Sequence, residues 1–123
     1  MSSETFTRII VVVAALLGAA GIAAAAGATH SGDQALLGPL ALVALTQAPT
    51  LLTLAAFQPP FRFMRAAAAV IALGAMLFSA DLAMRHFTGA PLFPHAAPIG
   101  GTMLIAGWLV LAVSAIVGPR QPP

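Results

Sequence analysis

Asp81 and Arg85 stand four residues apart in the stretch MLFSADLAMRHF, with the acid on the N-terminal side. On a helix that spacing brings the two side chains together, in the order that suits an ion pair. Asp81 is also a carboxylate inside a strongly apolar run, and two chemistries follow. It can end a membrane span as one half of an interfacial ion pair, or it can be an ionisable site facing a bundle interior. If its span begins near Ala66, Asp81 lies about 22 Å along it. That depth is close to the outer boundary and favours the pair. His30, His86 and His95 fall on the same side as Asp33 and Asp81. Histidine and carboxylate are metal ligands, but these spacings match no local ligand motif, and neither a metal nor a cofactor is expected. His30, Asp81 and Arg85 are expected to form an outer-face polar cluster. No Ser-His-Asp, HExxH or paired-carboxylate pattern is present, so no enzyme is expected.

A second polar group is Thr46, Gln47, Thr50 and Thr53, with Pro49 among them. The three threonines share a helix face, and their hydroxyls can bond carbonyls one turn earlier. Pro49 lacks an N–H, which frees the carbonyl of Leu45 and favours a kink. Gln47 lies near mid-bilayer, where its amide needs a partner. Trp108, at similar depth, needs an acceptor for its indole N–H. A Gln47–Trp108 contact in the bundle interior is the expectation.

These residues are carried by a chain of 123 residues, of which 60% are hydrophobic and 7% charged. A soluble domain carries about 25% charged residues, so this one cannot coat a water-facing surface. A net charge of +2 is too small for a nucleic-acid footprint. The absence of cysteine excludes thiol, iron–sulfur and Cys-zinc chemistry. A bilayer core needs about 20 apolar residues of helix, and four runs qualify: 9–28, 36–57, 66–82 and 99–117. The fold class expected is all-α, a four-transmembrane-helix bundle forming one integral membrane domain over 1–123. Arg8, Arg62, Arg65 and Arg120 fall on one side and Arg85 alone on the other. Excess positive charge stays cytoplasmic, which places both termini inside and the Ser31–Gln34 and Thr88–Pro98 loops outside. A competing reading makes the first run a cleaved signal peptide, but its apolar core exceeds the usual ~7–15 residues. Ala14, Gly18, Gly21, Ala25 and Ala28 recur at spacings of four and three, a small-residue stripe that lets a neighbour approach. Leu17 and Ile22 fall off that stripe. Gly107 is expected to serve helix packing likewise.

The last third, LFSADLAMRHFTG followed by PIGGTMLIAGW, is similar to the domain-of-unknown-function 423 family of small bacterial membrane proteins. That family shows Phe-Ser-Gly then Ser-Leu or Asp-Leu in its third span, and Pro-x-Gly-Gly and Ala-Gly-Trp in its fourth. Here these positions are Phe78, Ser79, Ala80, Asp81 and Leu82, then Pro98, Gly100, Gly101, Ala106, Gly107 and Trp108. Gly18 and His30 stand at the family's Gly-to-His separation. Two segments depart from the pattern. The family's Gly-Ala-Phe-Gly-Ala-His reads Ala25-Ala26-Gly27-Ala28-Thr29-His30, and its Gln-x-x-His reads Gln47-Ala48-Pro49-Thr50. The resemblance implies a four-helix inner-membrane protein and carries no established activity.

Pro98 suits the first turn of a helix, where its missing N–H costs nothing. Gly100 and Gly101 then let another backbone approach. The free N–H groups there could hold an anion, or the motif could simply be a tight loop-to-helix turn. The expected function is a non-enzymatic structural or accessory protein of the bacterial inner membrane. Its expected partners are the lipid bilayer and a membrane protein or second copy, without nucleic acid. The alternative is a small proton-coupled transporter or exporter using Asp81. Four-span drug exporters of this size carry a glutamate in their first span, where this chain has none.

Overall fold

The computed structural model describes residues 1–119. Helix occupies each apolar run and overruns it: α1 is Ser3–Ser31, α2 Gln34–Phe57, α3 Met64–Thr88 and α4 Ala96–Val117. All four are long and apolar enough to cross a membrane. Local chemistry sets their ends. The Ser2 hydroxyl accepts from the Thr5 N–H at the start of α1, satisfying one of the orphan donors of a helix N-terminus. Gly32 and Gly89 end α1 and α3 in the left-handed conformation, at φ 76° and 78°, which glycine adopts without penalty. The third span was expected to stop at Leu82 and instead continues to Thr88. Asp81 and Arg85 are polar but compatible with helix, so the helix runs on until Gly89. Pro39 and Pro49 both lie within α2, which stays continuous through them.

The four helices form two antiparallel hairpins. α1 packs on α2, α3 on α4, and α2 on α3, while α1 meets α3 more lightly. No close backbone approach joins α4 to α1 or α2. The bundle is therefore a three-helix core with α4 laid against the outside of α3. The core contains Ala14, Leu17, Ala44, Leu51, Ile71 and Ala75, all buried.

The face of α1 that packs is rotated from the expected stripe. Ala14 and Gly21 are buried and Gly18 half-buried, but Ala25 is exposed. Leu17 and Ala24 are buried in its place. The contacting series is thus Ala14, Leu17, Gly21, Ala24 and Ala28, spaced three and four. Residue size alone could not find it, because an alanine-rich helix offers several equivalent small-residue stripes and the position of α2 selects one. A Cβ on Gly21 would lie 2.7 Å from Leu45 Cγ, whereas one on Gly18 would meet only Ala48 Cβ at 3.9 Å.

α3 and α4 touch backbone to backbone. A Cβ on Gly100 would come within 2.7 Å of Phe78 N, and one on Gly74 within 2.9 Å of Gly100 O. A Cβ on Gly107 would lie 2.6 Å from Ile71 Cγ1 and 3.1 Å from Ile71 N. Gly101 has ordinary room, 3.9 Å from the Phe78 ring. In a bilayer the tails are as apolar as leucine, so close van der Waals approach replaces the hydrophobic effect as the source of helix association.

One end of the bundle gathers the N-terminus, the α2–α3 loop and Pro119. Gln58 accepts from Ser3 and donates to Thr7, the Arg65 guanidinium sits 4.5 Å over the Phe6 ring, and Phe61 bridges to Pro119. Arg8 and Arg62 lie at the same end; Arg120 lies outside the described residues. Ser114, fully buried, accepts from the Phe63 N–H at 3.2 Å and so ties α4 to the start of α3.

Gly100→Ala or Gly107→Ala should destabilise the detergent-solubilised protein by about 1–3 kcal/mol, the range for overpacking. Gly18→Ala should be close to neutral. Thermal unfolding of the three variants checks this, and equal melting of all three would contradict the α3–α4 contact.

Candidate functional site

Asp81 is fully buried. Its Oδ2 accepts from Arg85 Nε at 2.8 Å, within the same helix. Its Oδ1 accepts from the backbone N–H of Leu92 at 2.9 Å. The second bond reaches across the α3–α4 connection. Gly89 turns the chain and the Thr88 hydroxyl accepts from the Ala90 N–H. Leu92 then lies back over the helix it has just left. His95, at φ 67°, redirects the chain into α4.

The expected pair with Arg85 is present, and Asp81 is enclosed as well. It lies seven residues before the end of α3, about 10 Å inside it. The helix runs past the end of the apolar run, and the returning loop could not be seen in the spacing. Burying a carboxylate is costly unless donors surround it. Here each oxygen has one, and the partner Arg85 remains about one-third exposed.

His30 does not join this pair. It is exposed at the end of α1, whereas the residue that bridges helices on this side is His86. Its Nδ1 lies 2.7 Å from Asp33 Oδ2, linking the end of α3 to the α1–α2 turn. Asp33 precedes α2 in the N-cap position but makes no cap bond, because its carboxylate is turned to His86. His95 is exposed. Among the described residues no three His, Asp or Glu side chains gather as a metal centre.

Trp108 Nε1 donates to Gln47 Oε1 at 3.0 Å, and Gln47 Nε2 donates to the Thr46 hydroxyl. Thr46, Thr50 and Thr53 each bond a carbonyl four residues earlier. The location differs from the interior one expected. Trp108 is 44% exposed and Gln47 half-buried, so the bond bridges the flank between α2 and α4. It lies there because α4 is attached only to α3 and leaves α2 at side-chain distance.

Pro98 lies in the first turn of α4. Gly100, two residues on, is buried against Phe78 and Gly74. The motif is thus spent on a helix contact, with a Cβ-sized space at Gly100 already filled by α3 backbone. Sequence reasoning did not single out Leu92, Gly74, Ser114 or the Asp33–His86 link. A glycine at position 74 in an alanine-rich span is a signal for a close approach. The Leu92 amide carries no signal in its residue type.

Four membrane-length helices, with a buried carboxylate tying the α3–α4 loop back to α3, define a multi-pass membrane protein of the four-helix bundle class. The chain belongs to the family described as Protein of unknown function (DUF423), whose model matches residues 17–101. The match takes in Phe78 to Leu82 and Pro98 to Gly101 and ends before Ala106, Gly107 and Trp108. No solved structure matches the chain.

Asp81→Ala should cost about 2–4 kcal/mol, because it strands a backbone donor and removes the partner of a half-buried guanidinium. Asp81→Asn should cost less, since its carbonyl can still accept from Leu92. Thermal unfolding together with protease cutting of the 89–95 loop measures both. Faster cutting is expected in the alanine variant first.

Proposed function

We propose that this protein is a non-enzymatic accessory protein of the bacterial inner membrane, working by packing against a membrane partner or a second copy. The observation that carries this is the state of Asp81. Both of its oxygens are engaged, one by Arg85 and one by Leu92. A carboxylate used in that way holds a helical hairpin together. A proton-coupling carboxylate must instead be open to a path on each side in turn, so the same geometry weighs against the transporter alternative. Broad apolar surface remains for lipid or a partner, including Ile105, Leu109 and Ile116 of α4. Both termini on the cytoplasmic side is part of the proposal, supported by Arg8, Arg62 and Arg65 at one end and Arg85 at the other.

Three measurements test it. Reporter fusions after Pro123 should give cytoplasmic activity, and strong periplasmic activity would overturn the orientation. Cross-linking in native membranes followed by purification should capture a stoichiometric membrane partner or a second copy; a protein recovered only as a monomer would count against the role. In liposomes, pH-gradient-driven flux that Asp81→Asn abolishes without loss of folding would replace this reading with the transporter.

A further inference from the structure

The chain has three acidic side chains, and each is already taken. Glu4 accepts from Arg8 at 2.7 Å, Asp81 from Arg85 at 2.8 Å, and Asp33 faces His86 at 2.7 Å. No acidic side chain is left for Arg62 and Arg65. Both belong to the end of the bundle that carries the α2–α3 turn, where Glu4 and Arg8 cancel each other. That end therefore holds a surplus of two positive charges.

Arg65 is half-buried and Arg62 exposed. The Arg65 guanidinium lies over the Phe6 ring, which covers one of its faces. Its Nη2 stands 3.4 and 3.5 Å from the carbonyls of Met1 and Ser2, longer than the roughly 2.7–3.2 Å of a good N–H···O bond. Its Nε and Nη1 meet no acceptor among the described residues. A guanidinium carries five N–H donors in a planar fork, so most of this one's capacity is unspent. Arg65 also lines a half-open cavity of about 240 Å³ between the start of α1, the α2–α3 turn and the start of α3. Gln58 and Ser3 share that lining. The Gln58 carbonyl oxygen is used by Ser3, while its amide gives one N–H to Thr7 and keeps a second. The cavity thus offers donors and positive charge.

That chemistry suits a phosphate group, which a guanidinium fork meets with two parallel bonds. Position selects the source. Gln58 follows Phe57, the last residue of α2, and Phe63 precedes Met64, the first of α3. The cavity therefore lies where two apolar spans end, the level of the headgroups in a bilayer. Phe57 is 78% exposed and Phe63 43% exposed, apolar surface for an acyl chain next to the charge. A zwitterionic headgroup would bring its own cation against the two arginines, so a net negative headgroup is favoured.

We propose that Arg65 and Arg62 bind the phosphate of an anionic phospholipid at this end of the bundle. The phosphate oxygens accept from the unspent N–H groups of Arg65, and Arg62, on the turn that leads into α3, adds the second charge. The site depends neither on the partner role nor on the orientation proposed above.

The full chain in neutral detergent is titrated with phosphatidylglycerol or with phosphatidylcholine of the same acyl chains, and retained lipid is counted by native mass spectrometry. One phosphatidylglycerol should be retained, about 25-fold more tightly than phosphatidylcholine, or about fivefold for each arginine. Arg65→Gln and Arg62→Gln should each lower that preference about fivefold. Arg65→Lys, which keeps the charge and loses the fork, should fall between Arg65→Gln and the parent. Arg62 is exposed, so Arg62→Gln should leave unfolding without added lipid unchanged, and its effect on retention then reads the site and not the fold. Equal retention of the two lipids would overturn the proposal, as would a preference unchanged in both glutamine variants. An excess of inorganic phosphate should leave the lipid bound; displacement by it would show a site for free anions and overturn the lipid.

Discussion

A carboxylate buried among apolar side chains must be surrounded by donors, because its neighbours supply none of their own. Asp81 meets that demand with two groups of different origin. Arg85 comes from the same helix and is available as soon as α3 forms. The Leu92 N–H becomes available only when the α3–α4 loop folds back over the helix. Satisfying the charge therefore requires the loop, and the loop in turn sets where α4 begins. The left-handed residues Gly89 and His95, on either side of Leu92, make the return possible.

With its start fixed by the loop, α4 lies along α3 through Gly74, Gly100 and Gly107, where no side chain separates the backbones. Near the other end, Ser114 meets the Phe63 N–H. The hairpin is thus held at three levels, by a charge, by backbone proximity and by a buried hydroxyl. This mode of attachment also explains what stays open. A helix drawn so close to α3 cannot close the ring against α1, so the α1–α3 seam is left as a groove and the α2–α4 flank is crossed only by side chains. Trp108 and Gln47 bridge that flank, each satisfying the other's polar group.

The end that carries the α1–α2 turn has its own tie. Asp33 reaches His86 rather than capping α2, and this joins the turn of the first hairpin to the end of α3. The opposite end is held by Gln58, Arg65 and the residues around the start of α1. Polar bonds thus gather mainly at the two ends, and the middle is packed chiefly by alanine, glycine and leucine. That division follows from the solvent: polar groups find water and one another near the interfaces, while association inside the bilayer relies on close contact.

Hydropathy and length determined that the chain forms four helices long and apolar enough to cross a membrane, since a bilayer core needs about 20 apolar residues of helix. Local spacing also determined what a single helix can arrange by itself: the Asp81–Arg85 approach at one turn and the threonine hydroxyls bonding back along α2. The family was legible from motifs such as Phe78-Ser79 and Pro98-x-Gly100-Gly101. Everything that depends on a second helix was decided by the tertiary structure. The packed stripe of α1 takes Leu17 and Ala24 and leaves Ala25 exposed, because all three are apolar and only the place of α2 distinguishes them. Asp81 is enclosed because a loop eleven residues away returns to it, and a backbone N–H has no residue type to announce it. The Asp33–His86 link in place of His30 has the same origin. Each is set by how far apart two helices stand, a distance that no periodicity within either helix encodes.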